Sequence, residues 1–226
     1  MTDARIEVTA DGPFLLHGGV PLRTADYVYS NEGEPMTWSF GEVDADVSDD
    51  PVALCRCGGS SNKPFCDGTH QDRDWDSTDA DQPAASYRER ARHKKSPEGV
   101  DHELLDDTKL CMHAGQCGTA KTNVWKMMPA TDDTETLGTV IRMVEKCPSG
   151  RLSNVIGGEV VEPALPEAVN VVPGGPLWVT GGLTVTTASG NDLERRNRVT
   201  LCRCGASSNK PLCDGTHADI DFDTDD

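Results

Sequence analysis

"CRCGGSSNKPFCDGTH", residues 55–70, returns as "CRCGASSNKPLCDGTH", residues 202–217, with fourteen of sixteen positions identical. A loop held by packing alone tolerates drift, so two copies this similar answer the same chemical demand at each position. Cys55 and Cys57 stand one residue apart, so an extended or bulged loop can offer both thiolates to one metal ion. Cys66 and His70 are four apart, the spacing that stacks two side chains on one helical face. Pro64 is placed to start that helix, whose first amides would favour the negative charge of a thiolate centre. Gly58 and Gly68 permit close backbone approach to the bound group. The second copy supplies the same set as Cys202, Cys204, Cys213 and His217.

The repetition reaches beyond the cysteines. "DGPFLLHGGVPL" (11–22) aligns with "GGPLWVTGGLTV" (174–185), each an apolar strand, a Gly-Gly break and a second apolar stretch, and both read as β-hairpins. The first copy carries an acidic, loop-rich insertion over 30–50 before its cysteines. Between the copies, "TETLGTVIRMVEKC" (134–147) sets Leu137, Val140, Ile141 and Val144 at the spacing of one apolar helix stripe. Asp132 with Glu135 suits its start, and Pro148 stops it just after Cys147. Residues 151–172 read as short β segments leading through a Pro-containing linker into the second copy.

Composition narrows the function classes. Hydrophobic residues make up 36% and aromatics 5% of 226 residues, a thin supply for one apolar core, so a bound metal is expected to contribute stability. The net charge of −17, from 38 acidic and 21 basic residues, repels nucleic acid and anionic membranes. The N-terminal sequence lacks the basic region of a signal peptide and no stretch approaches a membrane span, so a soluble cytoplasmic protein is expected. In that reducing compartment nine cysteines read as ligands rather than disulfide partners.

The pattern C-x-C-x2-S-x3-P-x-C-D-G-T-H resembles the CDGSH iron–sulfur, or NEET, family, with Thr69 and Thr216 where the name-giving serine stands. The resemblance implies a [2Fe–2S] cluster in each copy: one iron on Cys55 and Cys57, the other on Cys66 and His70, and likewise Cys202 with Cys204 and Cys213 with His217. The competing reading is a structural zinc protein with Cys3His sites, although paired zinc cysteines ordinarily have two to four residues between them. Ser60, Ser61 and Asp67, with Ser207, Ser208 and Asp214, read as supporting or capping groups.

The middle segment resembles a divergent single-cluster ferredoxin. Its pattern asks for C-x2-C-x2-C with a remote C-P. Cys111, Cys117 and Cys147-Pro148 match, and Ala114 occupies the second ligand position. Three thiolates allow a [3Fe–4S] cluster, or a [4Fe–4S] cluster completed by solvent or His113. They also allow no cluster, with the cysteines packed as small apolar groups.

The expected fold is therefore α+β and β-rich: CDGSH modules at 1–85 and 166–226, packed as a pseudo-dimer around a ferredoxin-like segment at 86–165. One-electron transfer is the expected function, with cluster storage and transfer or redox sensing as the alternative, a redox protein or an apo-acceptor as partner, and a monomer sufficing. No nucleophile–base pair or phosphate loop suggests an enzyme.

Overall fold

A computed structural model describes residues 4–43, 50–80 and 86–222. Part of the acidic insertion read over 30–50 lies outside those residues. The fold is sheet-rich with short helices, of α+β class, and three sheets organise it.

Two of the sheets are built by exchange between the repeats. The first repeat contributes β1 (Arg5–Val8), β2 (Phe14–His17), β3 (Leu22–Tyr29), β4 (Pro35–Glu42) and β5 (Val52–Leu54). The second contributes β10 (Ala168–Val171), β11 (Leu177–Thr180), β12 (Thr184–Thr186) and β13 (Arg198–Leu201). One sheet has the order β12-β1-β2-β5 and the other β13-β11-β10-β3-β4, so the second repeat lends β12 to its neighbour's sheet and the first lends β3, with β4 beside it. Both lent strands pair in parallel, β12 on β1 through Ile6↔Val185 and Glu7↔Thr186, and β3 on β10 through Val169↔Leu22 and Asn170↔Arg23. Under the alignment of 11–22 with 174–185 these are the same register.

This corrects the hairpin reading. The two strands flanking each Gly-Gly break are present but do not pair with each other: β2 bonds β1 and β5, while β3 leaves for β10 and β4. The glycines make the departure possible, since Gly18, Gly19, Gly181 and Gly182 have φ of 87°, 64°, 77° and 73°, in the left-handed region glycine enters freely. The insertion read as loop also holds β4, paired with β3 along its length. Its Trp38 packs, with rings tilted, against Tyr27 and Trp178, at centroid distances of 4.4 and 5.1 Å.

Exchange gives the repeats a common core. Ile6, Val8, Phe14, Leu16, Leu22 and Leu54 pack in one buried cluster with Val169, Val171, Leu177, Val179, Val185 and Leu201. Alternating burial along β1 and β2 points one face of that sheet inward, and the opposite sheet supplies the rest.

The third sheet, of order β6-β7-β8-β9, is antiparallel and comprises Arg92–Lys95, Glu103–Asp106, Leu152–Ile156 and Glu159–Val161. The expected helix runs over Thr134–Glu145 and buries Val140, Met143 and Val144 against Leu104, Leu152, Val124 and Met128. Its cap is Asp133 rather than Asp132: the Thr136 amide donates to the Asp133 carboxylate at 2.8 Å. Arg198 of β13, 1% exposed, reaches into this unit and donates to the carbonyls of Val144, Glu145, Cys147 and Leu152. Its Nε also pairs with Glu162 at 2.7 Å. A buried guanidinium with all three nitrogens engaged is a strong tie between the middle unit and the second repeat.

The ligand loops of the two repeats meet at an antiparallel bridge between Cys57 and Cys204. A Cβ on Gly58 would stand 2.3 Å from the Cys204 carbonyl oxygen, and one on Gly205 would stand 2.4 Å from that of Cys57. Gly58→Ala should therefore cost about 1–2 kcal/mol for a left-handed alanine and about 1–3 kcal/mol more for overpacking. Gly68→Ala, at φ 91° with open space around it, should cost the first term alone. Urea midpoints of the two variants at constant m-value measure the difference; equal losses would mean that the bridge is not a tight contact.

Candidate metal centres

Each repeat assembles its four donors as two close pairs. Cys55 follows β5 directly, and its sulfur lies 4.0 Å from that of Cys57; Cys202 follows β13, and its sulfur lies 3.8 Å from that of Cys204. The Cys66 sulfur is 3.3 Å from Nδ1 of His70, and the Cys213 sulfur is 3.3 Å from Nδ1 of His217. A tetrahedral ion with sulfur ligands at ~2.3 Å holds two sulfurs ~3.8 Å apart, so each pair fits the span of one metal. Among the described residues no group of three or more His, Cys, Asp and Glu side chains could hold a single ion. Donors arranged two by two suit a pair of bridged irons.

The helix expected from Pro64 is not formed. Cys55 N donates to the Pro64 carbonyl at 2.8 Å, Cys66 N donates to Ala53 at 2.9 Å, and Phe65 bridges Leu54, so this stretch pairs like a strand. Helical turns begin later, at Thr69–Gln71 and Thr216–Asp219, after Gly68 and Gly215 at φ 91° and 94°. Cysteine and histidine meet across that turn rather than along one helical face. Amides still favour thiolate charge: Gly59 N and Gly215 N each lie 3.4 Å from the sulfurs of Cys57 and Cys213. Gly58 also lies against the Cys204 carbonyl of the other repeat, where a Cβ would clash.

The serines and aspartates act as a loop brace. Asp67 accepts from Ser61 N and Oγ, both at 2.9 Å, and from Thr69 N at 3.0 Å. Asp214 does the same for Ser208 N and Oγ, both at 2.8 Å, and for Thr216 N at 3.0 Å, and it also accepts from the Thr216 hydroxyl at 2.6 Å. Although burial opposes it, hydrogen bonding from Thr216 and Ser208 holds the Asp214 carboxyl down at about 2. A hydroxyl is what residue 216 needs here, which is why threonine serves in place of serine.

Sequence reasoning missed the arginine within each C-x-C. Arg56 is 1% and Arg203 2% exposed. Arg56 donates to the carbonyls of Thr9 and Ser77 at 3.2 and 2.7 Å and pairs with Asp79. Arg203 donates to Val172 and Gly175 at 2.6 and 2.9 Å. Thr9 and Val172 are equivalent positions, so each guanidinium fastens its ligand loop to the matching turn of its own repeat. Each also feels the thiol of the other repeat: the charge of Cys202 acts on Arg56 and that of Cys55 on Arg203. Their identical recurrence in both copies was the available signal.

The two sites differ in exposure. Cys202, Cys204, Cys213 and His217 are all buried, whereas in the first repeat Cys66 and His70 are only half-buried. Burial pushes the Cys213 thiol up to about 12 and the Cys66 thiol up less far. Cys204 falls to about 7 because the Cys202 thiol donates to it. Sulfurs that resist ionisation in an apolar setting become thiolates readily once a metal cation is present.

Cys111, Cys117 and Cys147 also come together. With Met112, His113, Ala114, Gln116 and Arg151 they line a cavity of about 180 Å³ against Leu152. Burial raises the Cys117 thiol, and the neighbouring Cys147 raises it further, while Arg151 opposes both. Arg151 is anchored by Asp106 at 2.7 Å, and Asp106 also accepts from Trp125 Nε1 at 2.9 Å. His113 is exposed, and its Nε2 lies 3.1 Å from where a Gly215 Cβ would stand, so its ring edge faces the second repeat.

Among the described residues no helix is long and apolar enough to cross a membrane. No curated protein and no solved structure matches the chain. Family models do match: the iron-binding zinc finger of CDGSH type over residues 11–71 and 174–218, and the divergent 4Fe-4S mono-cluster family over residues 98–156. With paired thiolate and imidazole donors in both repeats and three cysteines about a cavity between them, the chain is an iron–sulfur protein of the CDGSH family, of tandem type, with a divergent mono-cluster segment between its repeats.

Proposed function

We propose that the chain is a one-electron carrier with two [2Fe–2S] centres. Cys55, Cys57, Cys66 and His70 hold the first; Cys202, Cys204, Cys213 and His217 hold the second. Cys111, Cys117 and Cys147 hold a further cluster in the middle segment. The observation that carries this reading is the two-by-two grouping of donors, with spans of 3.8–4.0 Å between sulfurs and 3.3 Å between sulfur and Nδ1. A mononuclear zinc site would draw all four donors to one point. Bound clusters supply reversible one-electron chemistry at a potential set by ligand charge and surroundings.

The chain's own residues shape that potential. An imidazole in place of a thiolate makes each donor set less negative than four cysteines would be. The buried Arg56 and Arg203 add positive charge beside the thiols of both repeats, favouring the state with one more electron. The repeats work as an internal pair about a pseudo-two-fold axis, a reading supported by their matching strand exchange. A single chain then holds what two chains would otherwise assemble. The partner is a redox protein, and nothing in the donor arrangement calls for a bound substrate.

One observation favours cluster delivery as a second reading. Cys66 and His70 are half-buried while Cys213 and His217 are covered, so a thiol-bearing acceptor reaches the first site more easily.

Anaerobically purified protein should contain about four irons and four sulfides from the repeats, with three or four irons more from the middle segment. Stoichiometric zinc without sulfide contradicts the proposal. Under an excess of iron chelator at neutral pH, the visible absorbance of the two repeat centres should decay in two phases, the first abolished by Cys66→Ser and the second by Cys213→Ser. A single phase shared by both sites would remove the delivery reading and leave electron transfer standing.

A further inference from the structure

The pattern of the middle segment leaves one ligand position empty of thiolate, because Ala114 stands where a cysteine is expected. Two residues on, Gln116 lines the same cavity as Cys111, Cys117 and Cys147. It is 4% exposed, and neither its amide nitrogen nor its amide oxygen has a hydrogen-bond partner among the described residues. Burying a carboxamide with both ends unsatisfied costs on the order of 1–3 kcal/mol for each group. An apolar side chain would fill the space without that cost. A buried, unpartnered donor and acceptor beside three thiols points to a polar or metallic occupant of the cavity.

Two other polar side chains line the same cavity and are less deeply buried than Gln116. His113 has φ 61° and is exposed, with its ring edge toward Gly215. Arg151 is paired with Asp106. Gly115, at φ 74°, turns the chain between Ala114 and Gln116, and residue 116 is the buried one. The cavity of about 180 Å³ exceeds what one water occupies, ~30 Å³ in the liquid, roughly sixfold.

We propose that Gln116 is the fourth, non-thiolate partner of the middle centre and makes one of its irons exchangeable. The inference rests on the reading that Cys111, Cys117 and Cys147 hold a cluster. A neutral carboxamide oxygen is a weaker donor to iron than a thiolate, so the iron opposite Gln116 is held less firmly than the three on cysteine. The centre then interconverts between three-iron and four-iron forms: a reduced [3Fe–4S] core of charge zero takes up Fe2+ to give [4Fe–4S] of charge 2+, with no change in electron count. Such a site responds to the supply of free ferrous iron, whereas the repeats hold their irons on four protein donors.

The test is a titration of Fe2+ into the dithionite-reduced full-length protein after mild oxidation to the three-iron form, followed by electron paramagnetic resonance and Mössbauer spectroscopy. The wild type should take up one Fe2+ per chain. Gln116→Met, close in shape and without the amide, should weaken that uptake by about 10–100-fold, the scale on which loss of one supporting group lowers metal affinity. Gln116→Glu should retain it. Adding Ala114→Cys to Gln116→Met should restore a four-iron centre through a thiolate. Visible absorbance of the repeat clusters reports that each variant is folded. Equal Fe2+ affinity in the wild type and Gln116→Met overturns the role of Gln116 while leaving the middle centre in place. A folded wild type with both repeat centres and no third centre overturns the underlying reading, and this inference with it.

Discussion

Everything in this fold hangs on the exchange of strands between the repeats. β3 completes the sheet of the second repeat and β12 that of the first, so neither sheet is whole without both copies. The apolar residues are too few for two independent cores, and pooling them gives one cluster that runs from Ile6 to Leu212. The exchange also brings the two ligand loops together at the bridge of Cys57 with Cys204, closely enough that only glycine fits beside each. Buried Arg56 and Arg203 then hold each loop to its own repeat, while each carries its charge toward the thiols of the other. Sequence duplication thus becomes a joint in which the two cysteine loops meet over a common core.

The middle segment breaks the symmetry. It docks on the second repeat through Arg198, and its Cys111 carbonyl lies 2.6 Å from where a Gly215 Cβ would be. Met112 packs with Cys213 and Trp178, and Asn209 donates to the Lys109 carbonyl. These contacts cover Cys213 and His217, while Cys66 and His70 stay half-buried. Two nearly identical loops therefore meet different solvent access, which would separate the proposed centres in lability and in potential. The division is physical rather than chemical, because the ligand types are the same.

Much of the site was legible because it is written locally. Pairs such as Cys55 with Cys57 and Cys66 with His70 are fixed by a few residues of chain, and the Ser61–Asp67 brace recurs as Ser208–Asp214. The helix at 134–145 announced itself by its apolar period, although its cap lay one residue later. The strand exchange was not legible, since alternation tells which face of a strand is buried and not which neighbour it bonds. β2 and β3 therefore looked like a hairpin. The start of the helical turns was misread because Pro64 can open a helix, but here the amides that follow are used in strand-like pairing. Arg56 went unnoticed as a charged residue in a thin loop, and Gln116 because burial without a partner is a property of three dimensions only.

The most direct test of the account is the distance between the two repeat centres, measured by pulsed dipolar electron paramagnetic resonance on the fully reduced full-length protein. Loops that meet backbone to backbone at Cys57 and Cys204 require one short, well-defined intramolecular distance, unchanged on dilution and absent from the Cys66→Ser variant. Two centres with no mutual dipolar coupling, or a distance that vanishes on dilution, would contradict a single chain that joins its two iron sites by exchanging strands.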